Sequence, residues 1–547
     1  MVDSMVEQTY NLLSGNMIRN SIISLFIIFY TASSFAQQAV IKVWADQEVF
    51  IVGEDMWIDG IIQHGLPISK TMHLQLLDRN GNKKAETVVM LDNNHFNAFI
   101  TVPTNLPSDY YFLDGYSAGL KGKTELYPVM IINPKIAPSL GCNVSAGKYS
   151  PVASALNVYS DKETYQPRAE VKLTLSGLTN ISKGYVSVVR DDQLNQLYKD
   201  NTIGFNTAIE HDESNQIDQE GKVLIARVLK DGKPVSNLTV LASVKGIYAS
   251  LAIAHSNEVG VLQFLFPFKY DANEIILHPL NNDKGLSFEL SSSKSLSPIL
   301  FPCLQLEEKY RNDIEARSMH LNVSKQFYPD VNRSIKDNAV DTIDFYGKPD
   351  ARYNLDDYVR FPNMEEVFAE IISEVRVKKE KDASMLQVLN IPFKFFFNNE
   401  GLILVDGIPY FNTKELLESD PLMIKSIDVV NRKYIMGDHE FDGIVHFRTY
   451  KNDMGTLRLT DLDKSFNVKG LQKNTLLKPA FSVGNATKMP DMRNIVFKKD
   501  DIQTDFRGST TLTFKLSDAI GNYSIKLRGV DKQGNTTSTS KLITVSQ

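Results

Sequence analysis

Leu402, Ile403, Leu404 and Val405 form an apolar run that ends in Asp406-Gly407, and this junction constrains the surrounding chain more than any other feature. Asp-Gly readily supplies the positive backbone angles of a tight hairpin turn, so the segment reads as a strand followed by a reversal. Asn412 is placed to accept backbone donors as a helix N-cap. Glu415, three residues on, completes the pattern of a capping box, which predicts one short helix over Thr413 to Glu418. Asp420-Pro421 then stops it. Strands are expected over Ile427 to Val430 and Gly443 to Tyr450. The product is a small α+β unit in which Asp406, Gly407, Pro409 and Gly443 are turn and structural positions rather than catalytic ones.

At 547 residues the chain should hold three to five domains, and 43% hydrophobic with 23% charged residues is ordinary for folded protein. The net charge is −6, and no Lys/Arg stripe interleaves with aromatics, which argues against a nucleic-acid partner. The beginning of the chain carries an export address. Met17 to Asn20 make a short basic region, Ile22 to Tyr30 an apolar one, and Ser34-Phe35-Ala36 a cleavage site, so residues 1–36 read as leader and signal peptide with Met17 as the expected start. The apolar stretch is too short to cross a bilayer, which needs about 20 residues. The mature chain is expected to begin at Gln37, in the periplasm, at the outer membrane or on the cell surface.

The rest reads as mainly β. Residues 37–140 alternate apolar and polar positions, with turns such as Asp78-Arg79-Asn80-Gly81-Asn82, as a β-sandwich does. Their opening resembles a macroglobulin-type domain through Asp46, Phe50, Gly53, Glu54 and Trp57. On that reading Phe50 and Trp57 fill the core and Gly53 makes the turn. A second copy follows, with Asp161, Tyr165, Pro167, Arg168 and Glu170 in the corresponding places, so 150–217 is expected as a second sandwich. A third is expected over 218–302, then a helical and irregular connector over 303–360 with a helix near Leu306 to Ser324.

The α+β unit, bounded at 361–455, resembles the plug domain of TonB-dependent outer-membrane receptors. The connector resembles the segment that precedes the plug in a family of macroglobulin-plus-plug envelope proteins, through Gly347-Lys348-Pro349-Asp350, Tyr358, Arg360-Phe361 and Met364-Glu365-Glu366. Residues 466–547 are similar to that family's C-terminal sandwich through Pro490-Asp491, Arg493, Thr504-Asp505, Gly508, Asp518, Gly521 and Tyr523. A receptor barrel of about 22 strands needs several hundred residues. Fewer than 100 follow Tyr450, so the resemblance implies a plug without its own barrel in a Gram-negative envelope.

Reacting groups are not evident. The histidines show no HExxH or other ligand spacing, and no GxSxG elbow, P-loop or dinucleotide fingerprint occurs. No catalytic, cofactor-binding or metal-binding residue is assigned and no cofactor is expected. His211-Asp212-Glu213 reads as an exposed polar loop and Asp453 to Lys464 as a solvated linker. His446 lies on the strand face opposite Val445 and Phe447, a packed or solvent-facing position rather than a ligand. Cys142 and Cys303 either form a disulfide or are two buried thiols, and Gly141-Cys142-Asn143 lacks the Glu-Gln of a thioester motif. Glu86-Thr87-Val88-Val89 resembles a TonB-pairing segment but is expected to be an ordinary paired strand of the first sandwich.

Two functions fit. One is a non-enzymatic scaffold or protein-interaction component that meets an outer-membrane β-barrel or the transport and secretion machinery through its plug-like unit. The other is a ligand-binding or transport-accessory receptor for a polymer or peptide, for which Tyr110-Tyr111-Phe112 is the candidate aromatic row.

Overall fold

The computed structural model describes residues 39–63, 69–138, 155–202, 207–211, 221–244, 248–267, 274–280, 284–290, 296–327, 333–335, 343–380, 383–472, 475–477 and 489–547. It is a multidomain, mainly β chain. It comprises three sandwiches and one α/β unit, and the signal-peptide region and Cys142 lie outside the described residues.

The first sandwich packs two five-stranded sheets. One orders the strands Ala208–His211, Gly122–Glu125, Ala39–Ala45, Asp55–Gln63 and His95–Thr101; the other orders Val49–Ile51, Tyr127–Ile132, Asp109–Tyr116, Thr71–Leu77 and Lys83–Met90. Phe50, Met56, Ile58, Leu74, Tyr111 and Val129 meet between them with almost no exposure. Side chains of this size contribute about 1.5–3 kcal/mol each when fully buried. Gly53 makes the expected turn with φ +89°. Trp57, expected in this core, faces outward and packs instead with Val189 and Ile495 of a neighbouring sandwich, because it shares a strand face with Asp59 and Ile61 rather than with Met56 and Ile58.

The separation of 150–217 from 466–547 does not hold in the structure. Asn157–Ser160 and Glu170–Ser176 form one sheet with Thr510–Lys515; Thr164–Tyr165, Thr536–Val545, Gly521–Asp531, Ile181–Asp191 and Ile495–Asp500 form the facing one. A single core joins Val171, Leu173, Val186 and Val188 to Tyr523, Ile525, Leu527 and Ile543. The second and last units are therefore one composite sandwich made from two distant stretches. Arg168, where the first copy has glycine, adopts the same left-handed backbone, with φ +62°, and pairs with Asp518 at 2.6 Å.

The middle sandwich spans strands from Gly221 to Leu290, and Lys464–Asn467 is added to the edge of its second sheet. Residues 296–302, expected to belong to it, pack on the first sandwich instead. There Ile299 and Phe301 cover Tyr110 and Phe112, together with helices α1 (Gln193–Thr202) and α2 (Arg311–Phe327). Val88 and Gly81 lie in strands and turns whose outer edges are likewise occupied: Gln472 N–H donates to Val88 O, and Leu296 N–H to Gly81 O. The segment Glu86 to Val89 is thus an edge strand, contrary to expectation, but its edge is covered by the returning chain.

The α/β unit begins earlier than 361. Its main sheet orders Ala351–Asn354, Ile424–Val430, Ile444–Thr449, Leu402–Val405 and Ile408–Pro409, and a smaller one orders Val375–Lys379, Ser384–Asn390 and Phe395–Phe396. Ile403, Val405, Ile427, Val429, Val445 and Phe447 face helices α3 (Met364–Glu370) and α4 (Thr413–Glu418). Leu402, Leu404, Val430 and Ile444 face Leu241, Ala249 and Leu251 of the middle sandwich. Both faces are covered, which is why the run from Leu402 to Val405 is apolar at every position. The stretch after Tyr450 is a docked strap rather than a solvated linker, since Met454 and Leu457 enter this core and Asp463 pairs with the buried His278 at 2.8 Å.

Candidate functional site

The Asp406-Gly407 turn takes φ +49° and +81°, the two positive angles the sequence demands. Burial then turns it into a junction. The Asp406 carboxylate accepts from Thr449 N at 2.7 Å, Thr449 Oγ1 at 2.6 Å and Met454 N at 2.9 Å, fixing the end of one strand and the start of the strap. Gly407 N–H donates to His446 Nε2 at 2.9 Å, and a Cβ at Gly407 would stand 2.9 Å from Ala249 Cα of the middle sandwich. Pro409 sits opposite Leu404. Gly443, with φ +89°, leaves room for Val430 O, which a Cβ would approach to 2.8 Å. Helix α4 has its expected limits, and Asn412 Oδ1 accepts from Glu415 N at 3.3 Å. Glu415 reaches the Asn412 side-chain amide and Tyr410 Oη, so the cap is closed by side chains rather than by the backbone of Asn412.

Beyond the turn lies a polar cluster between the sheet and the middle sandwich, largely buried, with Arg352 on its rim. His446 is fully buried. Because Nε2 accepts from Gly407, the ring proton is assigned to Nδ1, which donates to Tyr346 Oη at 2.7 Å; Tyr346 in turn donates to Asp428 Oδ2 at 3.1 Å. Asp428 also accepts from Arg352 Nε at 2.5 Å and Arg448 Nε at 3.3 Å. Arg448 Nη2 reaches Asp344 Oδ2 at 2.6 Å, and Asp344 Oδ1 accepts from Ala249 N at 2.8 Å. Two carboxylates face two guanidiniums, so the cluster is neutral with an uncharged imidazole. Burial, reinforced by Arg448, pushes His446 down to about 3. Burial works to raise Asp428, but Arg352 and Arg448 outweigh it and hold it below the usual carboxylate range.

Asp344, Asp428 and His446 bring ligand-type atoms within 4.8 Å of one another, the donor set of a divalent cation. Guanidiniums already hold the two carboxylates, and both ring nitrogens are engaged, so this donor set does not fit a metal. What the arrangement does is lock: it ties residues 344–346, the strands carrying 428 and 446–448, and the middle sandwich into one orientation. Of these residues only His446 drew attention in sequence; strand alternation placed it opposite Val445 and Phe447 and left open whether it is packed or solvent-facing, while Asp344, Tyr346, Arg352, Asp428 and Arg448 carry no local pattern.

A second concentration of charge lines a cleft of about 190 Å³ between the first sandwich, α2 and the composite sandwich, where Glu54, Trp57, Arg317, His320, Ser324 and Ile495 meet. Burial pushes Glu54 up to about 7. Its Oε2 accepts from Gln47 Nε2 and Ile51 N. Arg317 is committed to Asp192, Val49 O and Asn195, and His320 Nδ1 lies 3.0 Å from Arg190. The cleft is smaller than the roughly 300 Å³ at which ligand pockets begin. Its charged groups serve the packing of α2.

Of the other expected positions, Tyr110, Tyr111 and Phe112 are all buried and form no exposed row; Tyr111 fills the first core and the other two pack on Phe301. His211 ends strand Ala208–His211 and pairs with Asp114 at 2.9 Å, while Asp212 and Glu213 lie outside the described residues. Cys303 is disulfide-bonded.

No family model matches the chain, and no curated protein does. Among solved structures it bears a distant similarity to Escherichia coli alpha-2-macroglobulin activated by porcine elastase, with 9% identity, a TM-score of 0.22, and coverage of 93% of this chain and 44% of that one. Dimeric latent PorU from Porphyromonas gingivalis is matched over 46% of this chain and 33% of that one, at 10% identity and a TM-score of 0.16. Each alignment spans less than half of the solved chain, and scores this low carry no argument about function.

Exposed apolar side chains on the α/β unit include Val359, Leu422 and Ile435, and three more lie together on one hairpin. Ile391, Phe393 and Phe395 are 45%, 74% and 51% exposed at the hairpin that joins Ser384–Asn390 to Phe395–Phe396. Lys394 turns the tip with φ +57°, and the rings of Phe393, Phe395 and Phe397 stand 6.4 and 5.8 Å apart in succession. Solvent meets three large side chains here without a covering element.

Proposed function

We propose that the chain is a non-enzymatic, exported envelope protein that works as a scaffold or protein-interaction component, with the α/β unit as a plug-like module that docks on an outer-membrane β-barrel or associated transport machinery. The observation that carries this reading is the aromatic tip. The main sheet of the unit is buried on both faces, its polar cluster is internally paired, and the tip gathers two exposed phenylalanines and an isoleucine on one hairpin, apolar surface of the kind that anchors interfaces. Against chemistry, the cleft at Glu54 has no nucleophile hydrogen-bonded to that carboxyl, and the cluster at His446 is closed by arginines. A receptor for polymers is not favoured, since Tyr110-Tyr111-Phe112 is buried.

The test is recovery of partners with tagged full-length protein from detergent-solubilised outer membrane. A defined large β-barrel is expected with the wild type and is expected to be lost with Phe393→Asp/Phe395→Asp, whose thermal unfolding should match the wild type. Recovery of no barrel, or equal recovery by the double variant, refutes the proposal.

A further inference from the structure

The first and composite sandwiches meet face to face, and a lysine is trapped at the centre of the contact. Trp57, Asp59 and Ile61 share the outer face of strand Asp55–Gln63, and Lys498 stands opposite Ser187 on the facing sheet. Lys498 Nζ contacts Asp59 Oδ2 and lies 2.8 Å from Asp46 Oδ2, and all three side chains are almost wholly withdrawn from solvent. Apolar groups flank the trio: Trp44, edge-on to Tyr185 at 5.3 Å, with Ile61 and Val530 on one side, and Trp57, Val189 and Ile495 on the other. Neither Asp59 Oδ1 nor Asp46 Oδ2 has a hydrogen-bond partner, so the approach of Lys498 to Asp46 is an ion-pair contact.

We propose that Lys498 and Asp59 condense into an intramolecular amide, with Asp46 as proton carrier, so that the two sandwiches are covalently joined. The charge count leads there. Two carboxylates and one ammonium would leave an uncompensated negative charge in an apolar setting, which burial strongly disfavours. One carboxyl therefore keeps a proton. Burial, acting against Lys498, pushes Asp59 up to about 7 and identifies it as that carboxyl. The trio is then neutral overall, as an ammonium, a carboxylate at Asp46 and an acid at Asp59. Burial works to lower Lys498, but Asp46 and Asp59 outweigh it and hold it above the usual lysine range, so the ammonium is the resting form; moving one proton from Nζ to Asp46 keeps the count and gives the reactive form, a neutral amine with two neutral acids.

From there the step balances. The Nζ lone pair attacks Cγ of Asp59, forming the C–N bond. Asp46 delivers its proton to the departing hydroxyl as the C–OH bond breaks, and takes back the surplus proton from nitrogen. One water leaves, Asp46 is regenerated, and nothing is oxidised or reduced. The orphaned Oδ1 is consistent with this outcome, because condensation removes one carboxyl oxygen from a place that solvates it poorly.

Intact mass spectrometry of the purified, reduced and denatured full chain decides the matter. The expected mass is below that of the processed sequence by one water, a value distinct from the ammonia lost when an N-terminal glutamine cyclises. Digestion should yield a branched peptide joining the segments that contain residues 59 and 498. Lys498→Arg and Asp46→Asn should each restore the full mass, with tryptophan fluorescence confirming that the first sandwich still folds. A wild-type mass equal to that of the sequence, or two unlinked peptides, overturns the proposal whatever the variants do.

Discussion

Glu54→Gln should make the protein more stable, and only at neutral and alkaline pH. Glu54 is buried beside the α2 cleft, and its carboxyl is lifted from 4.5 to about 7. At about 1.4 kcal/mol per pH unit, that corresponds to about 3 kcal/mol. The sign follows from which state binds the proton more tightly. Below about pH 4.5 the side chain is protonated in both folded and unfolded chains and no penalty exists; between there and about pH 7 the unfolded chain releases its proton first, so stability falls; above about pH 7 the loss is complete. Glutamine imitates the protonated acid, and its carbonyl can accept from Gln47 Nε2 and Ile51 N as Glu54 does. The chain's two tryptophans, Trp44 and Trp57, both lie in the first sandwich, so urea unfolding followed by tryptophan fluorescence reports on the affected region. The variant should gain up to about 3 kcal/mol at pH 8 and nothing near pH 4.5. A gain that does not change with pH, or a variant less stable than the wild type at pH 8, refutes the reasoning.

Gly407→Ala forces an alanine to φ +81° and drives its Cβ to 2.9 Å from the backbone of Ala249, so a loss of about 2–4 kcal/mol is expected, with faster amide exchange across residues 402–409. Unchanged exchange there would show that the turn does not hold the α/β unit to the middle sandwich. Asp428→Asn leaves Arg448 and Tyr346 short of their shared carboxylate and should cost about 3–5 kcal/mol near neutrality. Because Asp428 is held below the usual range, its contribution is present above the unfolded pKa and disappears as pH falls through the folded one. The gap between variant and wild type in chemical unfolding should therefore close in acid; a gap that persists would point to packing alone.

Local chemistry was legible where a residue settles its own backbone. Asp406-Gly407, the limits of α4 and the strands on either side follow from turn and capping preferences that need no distant partner. The repeated opening was legible as well, but Pro167-Arg168 in place of Val52-Gly53 suggests a different turn, whereas Arg168 keeps the left-handed backbone of Gly53. Pairing between strands was not. Nothing in the spacing of Glu170–Ser176 indicates that it lies beside Thr510–Lys515, because a strand's alternation shows which face is buried and not which edge is joined. The same limit hid the polar cluster. Asp344, Asp428 and Arg448 are unremarkable in their own segments, and only the closure of the middle sandwich over them makes them a unit. Trp57 was misplaced for a related reason: alternation fixes two faces, and an interface between sandwiches is as apolar as the inside of one.

How the strands interleave determines what the last part of the chain does for the rest. Lys464–Asn467 closes an edge of the middle sandwich, and residues 495–545 supply four of the eight described strands of the composite one, the other four coming from 157–191. Gln472 closes the first sandwich on both sheets at once: its backbone N–H donates to Val88 O at 2.7 Å, while its side chain accepts from Phe99 N and donates to Phe99 O, each at 2.8 Å. An exposed strand edge is a template for pairing with another chain. Truncation before Lys464 should therefore not yield a shorter protein lacking one domain. It should open the composite core and bare edges in the other two sandwiches, with concentration-dependent association in analytical ultracentrifugation and early loss of amide protection at Phe99 and Val88. A monomeric truncated chain that keeps protection at those two residues would mean that the returning segment merely lies on the sandwiches rather than closing them.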